Sequence, residues 1–421
     1  MIDNFKPVSR HSGSRLHTNT NDSHPTTGQE GLKELDPRPH AFTPQDPPHQ
    51  PEPTHEPEHP TPKKKRFSLR GLIRKRSLTK KEWLIFALVL ILITAGGVGY
   101  WYKFIRKPVP VAQKVNLATK KKPEKPTTEP SRLTGVQVDP ELNKLPITGI
   151  MIENSPDARP QSGLKDGGVI FEAVAEGGIT RFLTLYEEAR PDYVGPIRSA
   201  RPYFLDWILP FEGSLAHVGG SPDALSQIKA LHVRDLDQFA NSGSYTRVST
   251  RYAPHNVYTS LSRLLDLENK KGFSTSNFTG FTRKAESAAK TPTATSIDLK
   301  ISGFLYNAHY AYDPSNNDYK RSEGGKPHVD ERSKTQLSPK VVIALVMPKR
   351  TASDGIHTIY NTLGSGAMFV FQDGIVTPGT WHKDDRKAMF SFVGSDGKVL
   401  ALNPGQTWIS IVGEASSVTY K

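Results

Sequence analysis

Residues 177–204, GGITRFLTLYEEARPDYVGPIRSARPYF, hold four arginines, three of which, Arg181, Arg198 and Arg201, fall on a strand, a loop and a helix start. Over 179–187, Thr180, Phe182, Thr184 and Tyr186 alternate with Ile179, Arg181, Leu183 and Leu185, the pattern of a strand buried on both faces. Arg181 then shares an apolar face, where a guanidinium needs a carboxylate, a carbonyl cluster or a bound anion. Arg198 and Arg201 stand three residues apart around the start of an apolar helix, 201–209, with Pro202 at its first position. At helical spacing the two could close on one group. Guanidinium forks match phosphate and carboxylate, and a helix's first amides add partial positive charge. Two readings follow. Either Arg181, Arg198 and Arg201, with Thr180 and Ser199 beside them, hold an oxyanion, or they pair internally with Glu172, Glu176, Glu187 or Asp206.

Two further stretches could join such a site. HVGGSPDAL (217–225) is a strand, a Gly-Gly turn and a helix capped by Ser221, so His217, Gly219, Gly220 and Ser221 could cradle phosphate with backbone amides. It lacks the lysine of a P-loop, and Asp223 in the first turn serves the helix dipole and would repel an anion. RYAPHNVYTS (251–260) places Arg251, His255 and Asn256 on a loop, where His255 could act as acid, base or anion donor, or make a structural hydrogen bond. After the first strand, Glu153, Asn154, Asp157 and Arg159 offer oxygen ligands that could suit Mg²⁺, although a turn explains the same residues. No cofactor is specified and no metal site is assigned. His328 and Asp330 in KPHVDER, and WHKDDR (381–386), read as turns and strand ends. No nucleophile elbow, zinc-protease motif or kinase signature is present.

These residues need a scaffold, and the hydrophobic pattern supplies one. Strands are expected at 146–153, 168–175, 179–187 and 214–218, and helices at 201–209, 222–231 and 259–269. This makes 133–273 an α/β or α+β layered domain. Residues 274–296, rich in Ser, Thr, Ala and Lys, read as a linker or surface loop. From 297 to 421 the chain is β-rich, with strands at 308–312, 319–322, 341–347, 367–371, 388–393, 399–402 and 407–412, forming a small domain or completing the first sheet.

The net charge of +13 is uneven: residues 1–132 hold 24 Lys and Arg against 12 Asp and Glu, and residues 133–421 hold 31 against 30. The excess flanks an apolar run, not a basic stripe with interleaved aromatics, so no nucleic-acid partner is implied. That run, 83–102, is twenty residues without a charge and carries aromatic anchors at both ends, as expected of a transmembrane helix. Ten Lys and Arg in 63–81 against six in 103–121 put the N-terminus in the cytoplasm and the folded part outside, giving a single-pass cell-membrane protein. The polybasic segment 63–82 meets anionic lipid, 103–132 is an extended linker, and 1–62, with seven histidines and many prolines, reads as a disordered cytoplasmic tail whose partner the sequence does not name. The chain has no cysteine, which removes thiol chemistry, disulfides and cysteine lipidation.

In order, IMIENSPDARPQSGL, EAVAEGGITRFLTLY, GPIRSARPYFLDW, HVGGSPDAL and APHNVYTS, then GKPHVD and TWHKDDR with NPGQTWISIV, resemble the YerB-like family of bacterial envelope domains of unknown function, in both its N- and C-terminal domains. The resemblance implies an envelope location and a shared architecture but no reaction. Family members are described as lipoproteins, whereas this chain has no cysteine to carry lipid. The arginine strand, loop, arginine turn and helix are also similar in order to LytR-CpsA-Psr proteins. That similarity implies phosphoglycosyl transfer or hydrolysis on polyprenyl pyrophosphate-linked glycans, with Arg181, Arg198 and Arg201 on the pyrophosphate. Thr180 stands where an acidic Mg²⁺ ligand would be wanted. The residues themselves lead to a membrane-anchored extracytoplasmic module for a phosphorylated or carboxylated envelope ligand.

Overall fold

A computed structural model describes residues 79–105 and 127–421. The expected tail, most of the polybasic segment and most of the 103–132 linker lie outside the described residues. The chain divides into two units, 1–113 and 114–421.

In the first unit, α1 (Lys80–Tyr100) runs on into a π-helical turn at Trp101–Ile105. The backbone amide and hydroxyl of Thr79 donate to the Glu82 carboxylate at 2.8 and 3.0 Å, closing the helix start. Among the described residues this is the one helix long and apolar enough to cross a membrane.

The second unit runs β1 (Thr148–Glu153), β2 (Val169–Glu176), β3 (Ile179–Tyr186), α2 (Pro202–Ile208), β4 (Ser214–Ala216), α3 (Pro222–Ala230), β5 (Arg234–Asp235), α4 (Leu261–Lys270), β6 (Ser296–Leu299), β7 (Ala308–Asp313), β8 (Asp318–Glu323), β9 (Lys326–Pro327), β10 (Val341–Val346), β11 (Gly364–Gln372), β12 (Ile375–Lys383), β13 (Ser391–Gly394), β14 (Thr407–Val412) and β15 (Val418–Tyr420), with shorter pairings between. Ten strands form one mixed sheet, β13-β12-β11-β10-β14-β2-β3-β1-β4-β5, and five form an antiparallel sheet, β9-β8-β7-β6-β15. The C-terminal stretch thus does both things expected of it. Five of its strands extend the first sheet and five build a second.

Register decides what each face of the large sheet meets. Gly149, Met151 and Glu153 of β1 lie opposite Leu185, Leu183 and Arg181 of β3, so these six share a face. That face packs on α2, where Ile208 fills the space a Gly149 Cβ would need and Trp207 stacks on Phe171 at 5.4 Å. The opposite face presents Glu172, Phe182, Trp408 and Ser410 to the five-stranded sheet, with Phe182 6.0 Å from the His328 ring. β1, β2, β4, β5, β10 and β14 all run in one direction. Their carboxyl ends share an edge, the edge where ligands gather on open α/β sheets.

Residues 274–296 are not a free linker. Phe281 is buried against Phe211 and Phe392, and Arg283 donates to the carbonyls of Leu133 and Asn403. The polar composition hid two anchoring side chains. β12 was also unexpected, because Pro378 and Gly379 break its alternation, whereas 399–402 makes only isolated bridges, Val399 to Val393 and Leu402 to Arg283.

Candidate functional site

The three arginines separate. Arg181 and Arg201 share one carboxylate: Arg181 Nη2 donates to Glu176 Oε1 at 2.7 Å, and Arg201 donates to Oε2 from Nε at 2.9 Å and Nη2 at 2.6 Å. Ser199 joins them, its hydroxyl accepting from Arg201 and its carbonyl from Arg181. Burial alone would raise Glu176, but the two guanidiniums outweigh it and hold the carboxyl below its usual range. Arg198 turns elsewhere and donates to Glu153 Oε1 at 3.1 Å. The expected helical sharing between Arg198 and Arg201 fails because α2 begins only at Pro202. Both arginines sit in an extended segment that bridges β1 and the end of β4, through bonds from Arg198 N to Met151 O and from Val218 N to Arg198 O. Three residues apart in extended backbone, side chains point to opposite sides.

Arg198 ends in a second cluster. Glu153, buried at the carboxyl end of β1, also accepts from His255 Nδ1 at 3.0 Å and from the Ser155 hydroxyl at 3.1 Å. With Nδ1 fixed, His255 turns Nε2 outward, 4.0 Å from the exposed Asp157 carboxylate. A cavity of about 630 Å³ opens here, lined by Asp157, Arg159, Thr250, Arg251, Tyr252, Ala253, His255 and Glu331. Its two arginines are held mainly by neutral oxygens. Arg251 donates to the carbonyls of Asp157 and Pro160 at 2.6 and 2.8 Å, with Glu331 at 3.5 Å. Arg159 donates to Asn154 Oδ1, to Asn154 O and to Leu305 O, with Glu323 Oε2 at 3.3 Å. Carbonyls orient a guanidinium without cancelling its charge.

Behind Arg159 lies a buried polar network. Arg321, fully enclosed, donates to Glu172, Glu323, His328 and Tyr310 and lies 4.4 Å over the Trp408 ring. Asn154 Nδ2 donates to Glu323 Oε1 and to the Thr180 hydroxyl, both at 2.6 Å. Thr180 therefore belongs to this face and not to that of Arg181. Burial pushes the Glu323 carboxyl up despite Arg321, and burial with Arg321 holds His328 well below its ordinary value, neutral. Reading KPHVDER as turns and strand ends fits Asp330, whose carboxylate accepts from Gly163, Arg332 and Ser333 amides, but not His328. Arg321 carried no signal, since on β8 it alternates with ordinary strand residues and Glu172 lies 149 positions away.

The remaining candidates brace the backbone. His217 is buried, Nδ1 on Gly219 O and Nε2 on Asp235. The Gly219 amide that a phosphate would use already donates to Asp237 at 2.8 Å, Gly220 bridges Ala200, and the Ser221 hydroxyl caps α3 by accepting from Ala224 N. Asn256 accepts from Arg247 and donates to Val248 O, holding the loop that carries His255. The oxygens offered to Mg²⁺ diverge, Glu153 to Arg198 and His255 and Asn154 to Arg159. Among the described residues no group of three His, Asp or Glu side chains is arranged for a metal.

The folded part matches two family models. Residues 133–274 match the "Protein of unknown function (DUF3048) N-terminal domain", and residues 297–409 match the corresponding C-terminal domain. The chain is 30% identical over 293 residues to "Putative lipoprotein YerB" of Bacillus subtilis (strain 168), covering 68% of this chain and 87% of that one. A crystal structure of YerB protein from Bacillus subtilis matches with a TM-score of 0.63 at 26% identity, over 69% of this chain and 99% of the other. The chain belongs to the YerB-like family, built from the DUF3048 N- and C-terminal domains.

Proposed function

We propose that the protein is anchored in the cell membrane by α1, with its N-terminus cytoplasmic, and that its extracytoplasmic part binds a phosphorylated or carboxylated cell-envelope ligand in the cavity of Arg159, Arg251 and His255. One observation carries this reading: two arginines pinned largely by backbone and amide oxygens line one open cavity beside a histidine whose Nε2 faces the opening. The lipoprotein name of the Bacillus subtilis relative supports an envelope location. Calorimetry with inorganic pyrophosphate on the full chain in phosphatidylcholine nanodiscs tests it. Binding that weakens at least tenfold in Arg251→Ala is expected, and no binding by the native chain rejects it. Because the sequence has no cysteine, Ser395→Cys and Ser9→Cys report topology cleanly. A membrane-impermeant maleimide should label the first and not the second in intact cells.

The Glu153–His255 pair favours a second reading, in which the same cavity transfers or hydrolyses a polyprenyl pyrophosphate-linked glycan with His255 as the base. Turnover of such a substrate, lost in His255→Gln, would select it over binding alone.

A further inference from the structure

Arg159 lines two cavities of unlike character. On one side is the polar cavity of Arg251 and His255. On the other is a pocket of about 400 Å³, the size of a small-ligand site, walled largely by Pro156, Pro160, Leu305, Pro327 and Val329. The turn 156–160 separates the two, and Arg251 grips it through the carbonyls of Asp157 and Pro160. Arg159 cannot swing away freely, being held by Asn154 and Leu305 and lying 5.2 Å over the Tyr306 ring. The apolar pocket continues into exposed apolar surface, since Phe304 is 70% and Leu305 49% exposed. Its polar lining is Glu323, His328 and, at the rim, the exposed Lys326. Glu323 lies 3.2 Å from Arg321 and 3.3 Å from Arg159, and His328, held neutral, commits Nε2 to Gln161. A cationic boundary with a donor-rich hollow on one side and an apolar one on the other fits a ligand whose two ends differ in the same way.

We infer that the ligand is an amphiphilic anion, its phosphate or carboxylate head beside Arg251 and His255 and its apolar arm crossing Arg159 into the pocket of Leu305 and Val329. The inference rests on the anion reading given above and adds the arm. The probes are inorganic phosphate, hexyl phosphate and hexanol, titrated into the full chain in phosphatidylcholine nanodiscs with empty discs subtracted. Hexyl phosphate should bind at least tenfold more tightly than phosphate, and hexanol at least tenfold more weakly than hexyl phosphate. Val329→Asp should abolish the gain from the hexyl chain while leaving phosphate affinity unchanged, and Leu305→Asp, at a half-exposed position, should do the same if the first variant does not fold. Adding phosphatidate to the discs separates the sources. Competition assigns the ligand to membrane lipid and its absence to a soluble amphiphile, and either supports the proposal. Phosphate binding with no gain from the chain overturns the inference and leaves the anion reading standing, whereas no binding of either anion overturns both.

Discussion

Arg181 and Arg201 on one side, and Arg159 and Arg251 on the other, are four partly or fully buried arginines within a single unit, and their partners give them opposite uses. The first two close on both oxygens of Glu176, so charge meets charge and the cluster is complete. The second two are oriented mostly by carbonyl and amide oxygens, with a carboxylate only at the longer distances of 3.3 Å for Arg159 and 3.5 Å for Arg251, so their charge is less completely matched. An arginine in the sequence therefore says little until its acceptors are known. Carboxylate acceptors mark structure, and on the proposed reading neutral acceptors beside a cavity mark a place for an anion.

The largest effect should come from breaking the first cluster. Glu176→Ala leaves two guanidiniums buried without a counter-ion, which costs about 3–5 kcal/mol. Thermal melting of the variant should fall sharply while pyrophosphate affinity in any remaining folded protein stays unchanged. A small loss would mean that the carbonyls of Ser199 and Ala200 suffice to hold both arginines.

The two regions should also respond to pH with opposite signs. Glu176 is depressed in the folded state, so its contribution is present above the ordinary carboxylate range and is lost as the pH falls through the folded value. Glu323, beside Arg159, is raised by burial, so the folded state prefers its protonated form and stability declines as the pH rises from the ordinary carboxylate range through the folded value. Glu323→Gln keeps an oxygen for Asn154 and Arg321 and should flatten that decline in the melting-temperature profile. The change should be roughly 1–3 kcal/mol, since each tenfold difference in proton affinity between folded and unfolded chain is about 1.4 kcal/mol. An unchanged profile would remove Glu323 as its source.

Much of this scaffold was legible. The strand and helix periods of 146–231 gave β1, β2, β3, α2 and α3 within a few residues, because those segments are long, apolar and bounded by Gly, Pro and Ser caps. The need for Arg181 to find a partner was legible too, and Glu176 was among the carboxylates considered. Which partner it takes was not, because the choice depends on the hairpin bulge between Val174 and Glu176 and on an extended segment that resembles a helix start. The cavity was legible only in pieces. Arg251 and His255 stood out on a loop, but Arg251 meets the 156–160 turn across 94 positions at Asp157 and 91 at Pro160, and Leu305 meets Arg159 across 146. Turn chemistry explained Asp157 and Arg159 locally.

A smaller and more selective effect is expected at Arg251. Arg251→Ala removes two bonds to the 156–160 turn, worth about 1 kcal/mol each, and should weaken pyrophosphate at least tenfold in calorimetry. A stability loss with full affinity retained would place Arg251 with Arg181 as a structural arginine and reduce the contrast to one of exposure.

The finest test concerns the turn that most resembles a phosphate cradle. Ser221 caps α3, and the Gly219 amide beside it is already committed to Asp237, so by the same criterion this turn is structural: its donors have a carboxylate of their own. Ser221→Ala should cost about 1 kcal/mol of stability, the usual effect of a lost N-cap, and leave anion affinity at its native value. Pyrophosphate weakened in Ser221→Ala as much as in Arg251→Ala would show that acceptor type does not sort binding from bracing here, because a donor group with its own carboxylate would then be serving the ligand after all.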